Sequence, residues 1–192
     1  MLYVIVIITS IIIGLLRGGE LEKLFAISIE GVLLFAIALL FRLGVWTFDL
    51  IGIPNILSYS PYIIIISYFL LIYVSIHNIK LPGFKYIILG LILNGFVITL
   101  NGGSMPVLVR RGVIENISSS SFLDSGTRVV HSLMNDNTLF AFLGDVIVIP
   151  KPFPDTSIIS VGDIMILVGL FILIQKTMMI GEELPKEDEV LE

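Results

Sequence analysis

Two aspartates, Asp145 and Asp163, carry the most suggestive chemistry in the chain. Two neighbouring carboxylates can share a proton and activate a water, as in aspartic proteases. Their separation of 18 residues permits contact without requiring it. Leu143-Gly144-Asp145 opens an apolar patch that ends at Pro150-Lys151-Pro152-Phe153-Pro154, whose alternating prolines make a stiff extended connector. Ser160-Val161-Gly162-Asp163 then leads into an apolar run. Ser160 is placed there as an N-cap, with Asp163 at the third helical position, where the helix dipole favours a carboxylate. A capping role for Asp163 therefore stands beside the catalytic one.

The candidates for ligand contact are Asn94, Asn101, Gly102, Gly103 and His131. Asn101-Gly102-Gly103-Ser104-Met105-Pro106-Val107 closes an apolar run. Its glycines permit left-handed backbone, which suits a helix C-cap and turn or a backbone nest for an anion. Gly90, Asn94 and Asn101 share one helix face, suited to close packing and hydrogen bonding between helices or to touching a ligand. Glu30, placed early in a second apolar run, is a functional candidate or a carboxylate in a favourable first turn. His131 is placed in a short helix capped by Asp124 or Ser125. Neither His131 nor His77 has a partner at metal-ligand spacing, and the chain has no cysteine, so no metal or cofactor site is expected. No G-x-S-x-G elbow accompanies His131 and Asp145, which argues against a serine triad. Asn116-Ile117-Ser118 matches a glycosylation sequon.

The elements that must position these residues follow from composition. The chain has 192 residues, 56% hydrophobic and 14% charged. Soluble domains carry about 25% charged residues. A soluble enzyme, a disordered chain and a nucleic-acid binder are all poor fits, and an integral membrane protein remains. The net charge of −5 comes largely from the acidic stretch Glu182 to Glu192. Five apolar runs stand out: Leu2–Leu16, Leu24–Phe41 closed by Arg42, Tyr62–Ile76 opened by Pro61, Tyr86–Leu100, and Ile164–Ile174 with a polar start from Ile158. Several are shorter than the roughly 20 residues that cross a bilayer. Five spans, or four spans and one interfacial helix, both fit. Runs such as Ile63-Ile64-Ile65-Ile66 do not alternate as barrel strands do, so helices are expected.

The expected fold is an all-α membrane protein, a polytopic bundle of about five transmembrane helices with an extracytoplasmic cap. Residues 1–100 supply four helices, 101–160 the cap, 161–178 the last helix and 179–192 an acidic disordered tail. The first run lacks a basic start and an A-x-A site, so it is taken as a retained helix. Trp46, Tyr59 and Tyr62 suit a membrane interface. Arg17 and Lys23, Lys80 and Lys85, and Lys176 fall on one side, which places that side in the cytoplasm, with the N-terminus out and the C-terminus in. Arg42, at the outer end of the second run, dissents.

Several of these segments together resemble a group of small multi-pass membrane proteins of Gram-positive, clostridium-like bacteria, known only as a domain of unknown function. The resemblance rests on Arg17-Gly18-Gly19, on Asn101-Gly102-Gly103-Ser104-Met105-Pro106-Val107, on His131, on Leu143-Gly144-Asp145 and on Ser160-Val161-Gly162-Asp163. It covers about residues 2 to 175 and implies membrane topology, with no activity attached. Ser160-Val161-Gly162-Asp163-Ile164 also looks like the second catalytic aspartate motif of lipoprotein signal peptidases. There, however, Asn precedes an Ala-Asp pair, and that family's Asn-Asp-Arg motif is missing here, since Val146 follows Asp145.

The sequence thus favours a non-enzymatic accessory, binding or envelope-assembly role in the cell membrane, with the 101–160 region as contact surface. Its partners would be the lipid bilayer and a membrane or envelope protein, not nucleic acid. An intramembrane aspartyl hydrolase using Asp145 and Asp163 is one alternative, and a small transporter that uses Asn94 or Glu30 at mid-membrane is another.

Overall fold

The structure is a computed structural model, and it describes residues 2–51, 58–108, 130–149 and 157–179. Among these the chain is mostly helical. The helices are α1 (Leu2–Leu16), α2 (Leu21–Phe25), α3 (Val32–Ile51), α4 (Ser60–His77), α5 (Phe84–Leu100) and α6 (Val161–Met179). Between α5 and α6 lie four short strands, β1 (Met105–Val107), β2 (His131–Leu133), β3 (Ile147–Ile149) and β4 (Ser157–Ile159), and one 3-10 turn at Ala141–Leu143. The all-α expectation is corrected to that extent. β1 pairs in parallel with β2, and β3 pairs antiparallel with β4. The expected cap helix around His131 is instead strand β2, and its two proposed capping residues lie outside the described residues. β-branched Val130 suits a strand, and its carbonyl accepts the Met105 N–H at 2.8 Å.

The helices pack in the order α1, α6, α5, α4, α3. α1 runs parallel to α6. Tyr3 meets Asp163 near their starts, and the Gln175 amide donates to the Ser10 carbonyl at 2.6 Å further along. Gly14 faces Met178. α5 runs antiparallel to α6, because Gly83 faces Gly169 while Gly90 faces Gly162. The seven-residue glycine spacing on both helices brings the backbones close, and a Cβ on Gly169 would stand 2.7 Å from the Gly83 carbonyl oxygen. α3 and α4 form an antiparallel hairpin. Asn78 fastens its base, accepting from the Glu30 N–H and donating to the Glu30 carbonyl, each at 2.9 Å. One end of the bundle thus gathers the starts of α1, α4 and α6, the end of α5 and the strands. The other gathers the end of α1, the start of α3 and the α4–α5 turn.

The second apolar run is displaced from its expected bounds. Residues 26–31 are irregular, with Gly31 at φ +73°, and the long helix starts at Val32. Two residues change place as a result. Glu30 lies exposed before the helix rather than inside it. Arg42 stands in the middle of α3 rather than at its end, with its guanidinium 4.8 Å from the centroid of the Tyr68 ring on α4.

Three helices, α3, α4 and α6, are long and apolar enough to cross a membrane, while α1 and α5 are apolar but shorter, at 15 and 17 residues. The core is formed by Ala38, Ile64, Leu71, Ile87, Leu91, Val97 and Ile98 among others. The outer helix faces are equally apolar: Leu33 is 73% exposed and Phe69 65% exposed. Contiguous apolar surface on this scale is foreign to a soluble monomer.

Candidate functional site

The start of α6 is held by a reciprocal cap. Ser160 Oγ accepts the Asp163 N–H at 2.9 Å, and Asp163 Oδ2 accepts the Ser160 N–H at 3.0 Å. This is the capping-box geometry with Asp in place of Glu or Gln. The other carboxylate oxygen points into the bundle. Asp163 Oδ1 accepts from Tyr3 Oη at 2.7 Å and from Asn94 Nδ2 at 2.9 Å. Asn94 Oδ1 in turn accepts from Ser160 Oγ at 2.8 Å. Asn94 is 2% exposed, so both ends of its amide are satisfied inside the α5–α6 interface. Gly162 makes room for it, since a Cβ there would collide with the Asn94 side-chain oxygen. Four side chains thereby join α1, α5 and α6.

Asp145 lies in the connection between α5 and α6, beside β1. Its N–H donates to the Pro106 carbonyl at 2.8 Å, and its own carbonyl accepts the Leu108 N–H at 2.9 Å. β1 thus carries β2 along one edge and residue 145 along the other. Asp145 is 4% exposed, and its Oδ2 lies 3.5 Å from His131 Nε2 on β2. Its Oδ1 is buried and accepts no hydrogen bond among the described residues. Burial first, and the charge of Asp163 second, push the Asp145 carboxyl up to about 8. Burial holds the His131 imidazole below its ordinary range. The Asp163 carboxylate opposes that shift and the Arg42 guanidinium adds to it. Both shifts favour the uncharged forms, a protonated acid beside a neutral imidazole.

The structure brings Asp145, Asp163, Asn94 and His131 into one electrostatic neighbourhood and adds three residues that sequence reasoning did not select. Arg42 lies within reach of Tyr68, Tyr3 and Asp163. As a charge within an apolar stretch it carried a signal, which its assignment to a helix end concealed. Tyr3 and Tyr68 carried none, because only the packing of α1 and α4 reveals them. Asn101, Gly102 and Gly103 are placed apart, at the end of α5. There Gly102 adopts φ +72° and the Gly103 N–H donates to the Ile98 carbonyl at 2.8 Å, the Schellman ending of a helix. Asn101 also clamps Leu139, donating to its carbonyl at 2.9 Å and accepting its N–H at 3.0 Å. Glu30 and His77 lie at the opposite end. Among the described residues no three His, Cys, Asp or Glu side chains gather as a metal site would need.

This arrangement separates two roles. Asp163 accepts three hydrogen bonds and acts as a structural hub. Asp145 retains one uncommitted oxygen and one dissociable proton. A water shared by the two carboxylates would have to compete with these three bonds at Asp163.

A relative from Thermotoga maritima, described as an uncharacterized protein, is 28% identical over 167 residues, which is 87% of this chain and 86% of that one. No solved structure matches the chain. Residues 26–175, from the approach to α3 through most of α6, match the family described as "Family of unknown function (DUF5317)", and the chain belongs to that family.

Proposed function

We propose that this is a five-span cell-membrane protein with a non-enzymatic binding or assembly role, whose 101–160 segment caps the bundle on the extracytoplasmic face and meets a membrane or envelope partner. The observation that carries the non-enzymatic reading is the commitment of Asp163. Its two oxygens accept three hydrogen bonds that join α1, α5 and α6, so it serves the fold.

The five-span reading is supported by packing. α1 and α5 lie against α6 over most of their length, so they share its depth although each is short. Helices of 15 and 17 residues reach only ~22–26 Å by themselves, and polar flanks complete the crossing. Orientation follows from charge. Arg17, Lys23, Lys80, Lys85 and Lys176 gather at the end opposite the strands, which we assign to the cytoplasm. Arg42, inside the bundle beside Tyr68, no longer counts as a loop charge, so the earlier dissent disappears. The N-terminus is then outside and the C-terminus inside.

The chain has no cysteine, so single cysteines test the reading directly. Ser104→Cys and Asn137→Cys at the strand end, and Ser28→Cys at the other, would be exposed in intact cells to a membrane-impermeant maleimide. The expected result is labelling at 104 and 137 and protection at 28 until the cells are opened. The reverse pattern inverts the topology. A photo-crosslinker at Asn137 should then give one discrete adduct that the same group at Ser28 does not.

One observation favours a second reading, an intramembrane aspartyl hydrolase. The Asp163 charge acts on Asp145, and the two carboxyls sit in different environments, as an acid and base pair would. That reading requires Asp145→Asn and Asp163→Asn to abolish the same activity while both variants stay folded.

A further inference from the structure

The connection after β2 carries an apolar cluster that neither the core nor the Asp145 site uses. Leu139, Phe140 and Phe142 are all exposed, Phe142 by 67%. The Phe140 ring packs edge-on against Phe96 of α5 at 5.0 Å between centroids, and Phe142 lies 6.2 Å from Phe140. Phe140 holds φ +51°, a left-handed conformation that bulky residues rarely adopt. Just before it, Asn101 grips the Leu139 backbone through two hydrogen bonds. The chain is thus tied to the end of α5 at one point and carries backbone strain at the next, and three large apolar side chains are left outside the protein core.

We infer that Leu139, Phe140 and Phe142 form a lipid-embedded foot, which holds the connection between α5 and α6 in the interfacial layer of the bilayer. Continuity selects lipid as the occupant. Phe96 is itself exposed, and the exposed face of α5 continues below it through Ile92 and Leu89. Phe140 therefore extends an apolar helix face by one more ring, about one turn from the helix end. Aromatic side chains favour this depth, where their rings meet the boundary between headgroups and acyl chains. The neighbouring Asn135, Asp136 and Asn137 are exposed and polar, which marks the side facing water.

The inference rests on the membrane-spanning reading, and one experiment separates the two. Trp46 is the only tryptophan, and it lies exposed on α3. The full chain would be reconstituted in phosphatidylcholine vesicles, with lipid brominated near the headgroup end of its acyl chains as quencher. Native Trp46 reports on α3, and Phe142→Trp in a Trp46→Phe background reports on the foot. Both emissions should fall, with the loss at position 142 at least as large as that of Trp46, and iodide in the buffer should quench position 142 weakly. Quenching of Trp46 with none at 142 overturns the foot and leaves the span intact. Shielding of 142 from iodide without bromolipid quenching means that protein covers the patch, which also overturns it. Loss of quenching at Trp46 itself removes the membrane reading. Phe140→Trp in the same background repeats the test if Phe142→Trp does not fold.

Discussion

At the scale of single residues, the two aspartates separate by environment. Asp145 has a folded-state carboxyl raised from 3.8 to about 8, chiefly by burial. The folded state thus binds that proton more tightly than the unfolded chain does. Its contribution to stability is complete below the unfolded value and is lost as pH rises towards about 8, by at most ~1.4 kcal/mol per pH unit. His131 runs the other way. Its lowered value means that stability falls as pH drops below its ordinary value of 6.5. The window between 6.5 and about 8 therefore isolates Asp145. Thermal unfolding in micelles should show stability declining across that window in the native chain, and Asp145→Asn should remove the decline. A decline of equal slope in the variant would assign it to another group. Asn94 poses a different question. Asn94→Leu removes a donor to Asp163 and an acceptor for Ser160 in a buried interface, and should cost about 1.5–3 kcal/mol. Denaturant titration against the native chain measures this, and a change below a few tenths would mean that the network is slack.

At the scale of elements, the α5–α6 contact depends on glycines for reasons of space. Gly162→Ala places a methyl group on the Asn94 side-chain oxygen and 2.8 Å from the Gly90 carbonyl oxygen. Overpacking of this kind costs about 1–3 kcal/mol, and here it falls on Asn94, which bonds to both capping residues of α6. Gly102→Ala is the matched control, because a Cβ there meets nothing within 4 Å. Its cost is confined to left-handed backbone, about 1–2 kcal/mol. The comparison predicts that Gly162→Ala lowers the unfolding midpoint further and slows disulfide formation between single cysteines introduced on α5 and α6, which Gly102→Ala leaves unchanged. Equal effects would show that the helices can part without loss. Asn101 ties the strand-bearing connection to α5 through three hydrogen bonds, one to Val97 and two to Leu139. Asn101→Ala should raise amide exchange at residues 139–143 while exchange within α5 stays slow.

At the scale of the whole molecule, the apolar surface supports the membrane reading. Leu16, Leu33, Leu40, Phe69 and Tyr73 are exposed on three different helices. In water such faces would aggregate, whereas in lipid they are at no disadvantage. The protein should stay in the membrane pellet after extraction with alkaline carbonate and leave it only with detergent. Recovery in the aqueous supernatant would contradict the membrane assignment. The buried polar groups are equally telling. Tyr68 and Asn94 are buried and Arg42 and Asp163 half-buried, and each finds a partner or an electrostatic complement, the arrangement that ionisable and polar groups need in a bilayer.

The sequence alone determined the apolar helices, because hydropathy and run length are local properties. α1 and α4 to α6 lie close to their expected bounds, and Ser160 caps α6 with Asp163 as its spacing indicated. Gly90 and Asn94 were legible as one face of α5, although the partner face was not. Tertiary structure decided what depends on neighbours. Gly31 moved the second helix along the chain, put Arg42 inside the bundle and left Glu30 outside it. Parallel pairing with β1 made His131 a strand residue and brought it to Asp145. Hydrophobic periodicity reports which face of a segment avoids water. It carries no information on which distant segment supplies the complementary hydrogen bond or charge, because that depends on how the helices meet.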